Sequence, residues 1–222
     1  LQTLPDGIEG LHVHALCENE ADSTARLIES VEKRFGHLLD KIKWLNLGGG
    51  HLMTRKGYNL NLLIRVLSNL KKRHPSLQIV LEPGSAIAWD TGPLISTVLD
   101  IIQRDSINIA ILDTSATDHM PDVLEMPYRP NVRHAGKPEE KKHTYRLGGL
   151  SCLAGDVIGD YSFDNKLEIG YKIIFEDMMH YTMVKTTMFN GLNHPTIAIQ
   201  KENGAIEVIK QFSYTDYQDR LS

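Results

Sequence analysis

Apolar positions in the first ninety residues follow two rhythms. Short apolar runs at Gly10 to His14, Ile42 to Leu47 and Leu77 to Leu81 have the length and branched character of strands. Between them, Asp22 to Leu39 and Asn59 to Arg73 repeat apolar residues at helical spacing. Strand, helix, strand, helix, strand predicts βα units of a parallel sheet or barrel. From Gly92 onward the texture changes to short β-branched or alternating runs: Ile95 to Ile102, Ile107 to Leu112, Lys172 to Phe175, Tyr181 to Thr187 and Thr196 to Ile199. A β-rich second domain is predicted there, with the charged and Gly/Pro-containing stretch from Asn131 to His143 as an exposed loop. The expected fold is α/β. Residues 1–91 form the C-terminal part of a TIM (β/α)8 barrel, and residues 92–222 a β-rich domain of barrel or sandwich type. A complete barrel has eight units in about 250 residues, so the barrel reading places the units not seen here upstream of Leu1.

Each predicted strand ends in unusual chemistry, which suits a barrel whose active site lies at the strand C-termini. The first ends in His12 and His14, which share one side of a strand at period two. Such a pair could bind a metal, as in metal-dependent barrel hydrolases, or lay an imidazole on an aromatic cofactor; one core and one surface histidine is the plain alternative. The second ends in Gly48-Gly-Gly50 and His51. Glycines there let backbone N–H groups approach a phosphate, though a flexible turn would use them too. The third ends in Glu82-Pro-Gly84. A carboxylate held by a stiff and a permissive neighbour could keep a heterocyclic nitrogen protonated, or it could cap a helix or form an ion pair.

The β-rich part adds Cys152 within Leu147 to Asp156. A thiol among glycines with a nearby acid suits a proton donor, although a lone cysteine is more often a small buried hydrophobe. Asp113 and Asp156 could bind a cationic amine or simply be solvated. Met178, Met179 and Met183 read as core or interface filling.

Composition narrows the function classes. The 222 residues are 41% hydrophobic and 23% charged, ordinary for a globular chain. A net charge of -4 without a Lys/Arg stripe gives no footprint for nucleic acid or an anionic membrane. Cys17 and Cys152 are the two cysteines and neither lies in a CxxC. No disulfide framework or thiolate metal site is expected, and a reducing, cytoplasmic setting is. No apolar run reaches the ~20 residues that cross a bilayer. A small molecule is the expected partner.

The order of these signals decides among the readings. Histidine, triple glycine and Glu-Pro-Gly at successive strand ends, then cysteine in a Gly-rich loop, Tyr181 and Phe189-Asn-Gly191, together resemble the C-terminal half of the fold-type III pyridoxal-phosphate decarboxylases, the alanine racemase and ornithine decarboxylase type. Within that group, His14 to Glu18 (HALCE), Asp113-Thr-Ser, His119 to Pro130 (HMPDVLEMPYRP) and Ser151 to Asp156 (SCLAGD) resemble the carboxynorspermidine decarboxylases.

The resemblance implies decarboxylation of carboxynorspermidine or carboxyspermidine with pyridoxal 5'-phosphate as cofactor and no metal. It implies that His12 stacks on the cofactor ring, that Gly48, Gly49 and Gly50 cradle its phosphate with Tyr181, and that Glu82 pairs with the pyridine nitrogen. Asp113 and Asp156 are implied at the substrate. Cys152 is implied as the proton donor, reaching the neighbouring subunit's site in a homodimer. The lysine that anchors the cofactor is implied upstream of Leu1. Where the ornithine branch has Arg after Glu-Pro-Gly this chain has Ser85, and where that branch has Asp after the cysteine it has Leu153, which argues against ornithine as substrate. Competing readings are another fold-type III decarboxylase, such as one for diaminopimelate; a metal-dependent hydrolase using His12 and His14; and a non-catalytic homologue.

Overall fold

A computed structural model describes residues 2–104 and 107–222. They divide into two compact units, Leu1–Trp89 and Asp90–Ser222. The first holds three short parallel strands, β1 (Gly10–His12), β2 (Trp44–Asn46) and β3 (Gln78–Val80), in the order β1-β2-β3. Between them run α1 (Ala21–Leu39) and α2 (Leu60–Arg73), and α3 (Gly84–Ala88) follows β3.

Both long helices form where the apolar period calls for them. On α1, Ile28, Val31 and Leu39 face inward; Leu70 of α2 joins them with Leu45, Leu47 and Leu77 in one core. Each fully buried leucine contributes roughly 1.5–3 kcal/mol relative to exposure. Asn59 caps α2 by accepting the Leu62 N–H at 3.0 Å, and Lys71, Lys72 and Arg73 lie in its last turn, where cations offset the helix dipole. Lys71 Nζ also donates to the Leu77 carbonyl, tying the helix end to the start of β3. Because the strands are parallel and joined through helices, their C-terminal ends fall along one edge.

The second unit is a five-stranded sheet in the order β7-β6-β5-β4-β8. Its strands are β4 (Leu94–Gln103), β5 (Asn108–Leu112), β6 (His143–Gly148), β7 (Val157–Phe163) and β8 (Lys172–Phe175). Pairing is antiparallel except for β5 with β6. Val98, Leu112, Leu147, Tyr161 and Phe175 lie in its core. Short helices α4 (Ala116–His119) and α5 (Asp122–Glu125) follow β5, and α6 (Tyr181–Val184) follows β8. A hairpin of β9 (Ile197–Gln200) and β10 (Ile206–Lys210) precedes α7 (Tyr214–Leu221).

The structure corrects the expected strand at Tyr181 to Thr187, whose first residues form α6. Its Thr182 is buried with Oγ1 3.3 Å from the Asp122 carboxylate. That anchor and the Lys185 N–H bond to the Tyr181 carbonyl override the β-branched preference. No described helix is long and apolar enough to cross a membrane.

Candidate active site

Strand register assembles one cluster of the expected residues within the first unit. His12 on β1 is paired with Asn46 on β2, and Asn46 with Val80 on β3, so the residues just beyond these positions emerge side by side. The ladder runs on past the strands, with Val13 N–H bonded to the Asn46 carbonyl, Leu47 N–H to that of Val80 and Glu82 N–H to that of Gly48. His12, His14, Gly48 to Gly50 and Glu82 are thereby brought together.

Glu82 is the centre of the cluster. Its Oε1 accepts from Asn46 Nδ2 at 2.9 Å, and its Oε2 lies 3.2 Å from His12 Nε2 and 4.0 Å from His14 Nδ1. The Asn46 amide, opposed by desolvation and aided by His12 and His14, holds the carboxyl below its usual range, so it is ionised at neutral pH. Asn46 also accepts the Gly48 N–H through Oδ1 at 2.9 Å. One side chain thus orients both the acid and the loop. Asn46 was not among the residues singled out from the sequence; its signal was a polar residue at the last position of an apolar strand, in register with a histidine.

The glycine loop tolerates no side chain. Gly48 and Gly50 have φ of +71° and +82°, and a Cβ on Gly49 would lie 2.6 Å from the Glu82 carbonyl oxygen. Since Asn46 takes the Gly48 amide, the loop amides left for an anion are those of Gly49 and Gly50. His14 packs on this loop, its Cα only 2.9 Å from where a Gly48 Cβ would be. The His12 and His14 rings stand at 81° to each other, so only one can lie flat against a planar ligand. His51 lies buried beneath, with Nδ1 3.1 Å from Thr24 Oγ1, and burial pushes its pKa down.

An ionised carboxylate, close-approach amides and imidazole faces fit the ring nitrogen, phosphate and ring of pyridoxal phosphate. The donor atoms of His12, His14 and Glu82 also lie within 4.8 Å of one another, which suits a two-histidine, one-carboxylate metal site as well.

The second unit places the other expected residues. Asp113 follows β5 and is exposed; its Oδ1 accepts from Ser96 Oγ and the Thr97 N–H, each at 2.7 Å. Cys152 is exposed at the tip of the loop between β6 and β7, and is not the buried small residue considered as an alternative. Asp156 closes that loop from inside: it is 5% exposed, and its oxygens accept from Ser115 Oγ and the N–H groups of Ala116 and Ser151. Tyr181 starts α6 and is exposed, edge-on to His180.

Beside Asp156 lies His119, which sequence reasoning did not single out. Its Nδ1 accepts the Ser115 N–H at 3.2 Å, so Nε2 carries the proton and donates to the Asn193 carbonyl at 3.0 Å. Burial, with His194 adding to it, outweighs the opposing charges of Asp118 and Asp156 and pushes its pKa down from 6.5. The folded state therefore binds a proton here less readily than the unfolded state. Stability is expected to be flat above about pH 7 and to fall as pH drops through about 6.5, where the unfolded chain takes up the proton first. His51 and His194 act with the same sign. Urea midpoints from about pH 8 to about pH 5 check this, with a shallower fall expected for His119→Gln; a midpoint that rises on acidification contradicts it.

The pattern that defines the pyridoxal-dependent decarboxylases, C-terminal sheet domain, matches residues 21–179. The chain belongs to this family. It is 53% identical to a carboxyaminopropylagmatine decarboxylase of Synechocystis over 98% of its length, covering 56% of that protein. It is 43% identical to a carboxynorspermidine/carboxyspermidine decarboxylase of Campylobacter jejuni, across 97% of this chain and 59% of that one. A crystal structure of carboxynorspermidine decarboxylase from C. jejuni, complexed with norspermidine, superposes with a TM-score of 0.88 at 43% identity, covering 97% of this chain and 61% of that one. The fold is thus that of the fold-type III decarboxylases, and the chain spans somewhat over half the length of these relatives. Family membership favours the cofactor over the metal reading of the strand-end cluster.

Proposed function

We propose that this chain is part of a pyridoxal-phosphate-dependent decarboxylase that converts carboxynorspermidine or carboxyspermidine to norspermidine or spermidine. The observation that carries the reading is the Glu82 carboxylate, kept ionised by Asn46 and the histidines beside three close-packed glycines. Bound pyridoxal phosphate supplies an electron sink for the pair released when the substrate's α-carboxylate leaves.

The chain's own residues do the rest. Glu82 holds a proton at the ring nitrogen, which keeps the sink charged. Gly49 and Gly50 amides bind phosphate oxygens, with Tyr181 as a second phosphate contact. His12 or His14 covers the ring face. Asp113 offers its exposed carboxylate to the cationic tail of the substrate. Cys152 returns a proton to Cα, reaching the site of the opposite subunit in a homodimer. Asp156, its oxygens already taken within the protein, serves the substrate by holding the Cys152 loop.

The 53% identity to the Synechocystis protein favours a second reading, in which the tail is the guanidinium of carboxyaminopropylagmatine. Supplying the full-length protein and cofactor with carboxynorspermidine, carboxyspermidine and carboxyaminopropylagmatine in turn, and measuring kcat/KM from the amine released, separates the two. Highest turnover with the first two supports the proposal. Preference for the third moves the assignment to the second reading, and turnover of none of them overturns both.

A further inference from the structure

The loop that carries Cys152 is anchored at its base and bare at its tip. At the base, Asp156 accepts the Ser151 N–H at 2.9 Å, its carbonyl accepts the Gly149 N–H at 3.0 Å, and a Cβ on Gly149 would fall 2.4 Å from the Asp156 carboxylate. Residues 152 to 155 are all exposed, so side-chain packing does little to fix where the thiol points. Among the described residues, the one hydrogen bond that reaches this tip from outside the loop comes from the Cys152 N–H to Asn190 Oδ1, at 2.9 Å.

Asn190 is shaped for that contact. Its φ of 57° and ψ of 14° lie in the left-handed region, which asparagine tolerates better than other side-chain-bearing residues. The segment around it is nailed down on both sides. Thr187 donates its N–H to the Asp118 carbonyl and its hydroxyl to Asp118 Oδ1, at 2.7 and 2.8 Å, and the Asn193 carbonyl accepts from His119. Asp118 and His119 belong to α4, whose first N–H, that of Ala116, is held by Asp156. The contacts close a ring from Cys152 through Asn190, α4 and Asp156 back to the Cys152 loop.

We propose that Asn190 is a positioning residue that sets the place of the Cys152 thiol, through a hydrogen bond to the cysteine's own amide. The kinetic consequence rests on the decarboxylase reading above, whereas the geometric one does not. Asn190→Gly keeps the left-handed backbone and removes the acceptor; Asn190→Asp keeps both. In the full-length protein, amide hydrogen exchange at Cys152 is expected to quicken by about tenfold or more in Asn190→Gly, to stay near wild type in Asn190→Asp, and to be unchanged at Ser151 in both. Decarboxylation by Asn190→Gly should lose about tenfold in kcat with KM nearly unchanged, and Asn190→Asp should restore it. In a Cys152→Ala background, Asn190→Gly should cost nothing more, because the group it positions is gone. Unaltered exchange at Cys152, or an equal loss of kcat in the Cys152→Ala background, overturns the proposal. If the protein decarboxylates none of the substrates, the functional reading falls, and the exchange measurement alone still decides the clamp.

Discussion

Replacing Glu82 with Gln in the full-length protein is expected to slow decarboxylation on the order of 10²- to 10³-fold while the cofactor remains bound. The substitution keeps the size of the side chain and removes its charge. An amide at this position cannot stabilise a protonated ring nitrogen, so the sink loses its pull on electrons when charge develops at Cα. Asn46 donates to Glu82 Oε1 and can still donate to the amide oxygen of the replacement, so the loop geometry should survive. In the proposed arrangement phosphate and ring contacts come from other residues, so cofactor binding is expected to persist. Paired measurements of kcat and of bound cofactor by visible absorbance check this. Wild-type turnover in Glu82→Gln would remove the residue from the chemistry.

Replacing Cys152 with Ala is expected to lower turnover by on the order of 10²-fold or more, since a positioned proton donor is lost. Cys17, exposed in the other unit, serves as the control, and Cys17→Ala should leave turnover close to wild type. If Cys152 completes the site of the opposite subunit, the defect should also be rescued by mixing. Subunits carrying Cys152→Ala and subunits carrying Glu82→Gln, each nearly inactive alone, should recover about a quarter of wild-type activity when reassorted at random. Half of the dimers would then be mixed, and each mixed dimer would hold one intact site. No recovery on mixing, with exchange of subunits verified by sedimentation of labelled chains, would place Cys152 in its own subunit's site.

The βα units were legible because strand and helix periods are strict there: β1, β2, β3 and α2 fall within the runs read from sequence, and α1 begins one residue before its run. Glu82 and the glycines stood out for a related reason, since they directly follow apolar runs, and the strand register brings them together. Strands β6 and β7 were not. Their stretches carry His143, Arg146 and Asp160, and the Arg146–Asp160 ion pair becomes evident only once the two strands are placed in register. The short helices α4, which ends at His119, and α5, which lies within the motif from His119 to Pro130, are too brief for a helical period to emerge. Asp156 and Asn190 illustrate the wider limit. An isolated acid reads as solvated or substrate-facing, and the asparagine of Phe189-Asn-Gly191 entered only as part of a motif, with no role of its own. Only tertiary contacts with Ser115, Ala116 and Cys152 give them their places.

The most direct test of the account is the state of the ring nitrogen itself. Pyridoxal phosphate labelled with ¹⁵N in the ring, bound to the full-length protein, reports protonation through its nitrogen chemical shift. In the wild-type protein the shift is expected to be that of a protonated pyridine at neutral pH and to remain so well above the pH at which the free cofactor's ring nitrogen deprotonates, because the Glu82 carboxylate is ionised and adjacent. In Glu82→Gln it should move to the value of a neutral ring. A shift that is the same in both proteins would contradict the claim that the strand-end cluster around Glu82 is the cofactor site.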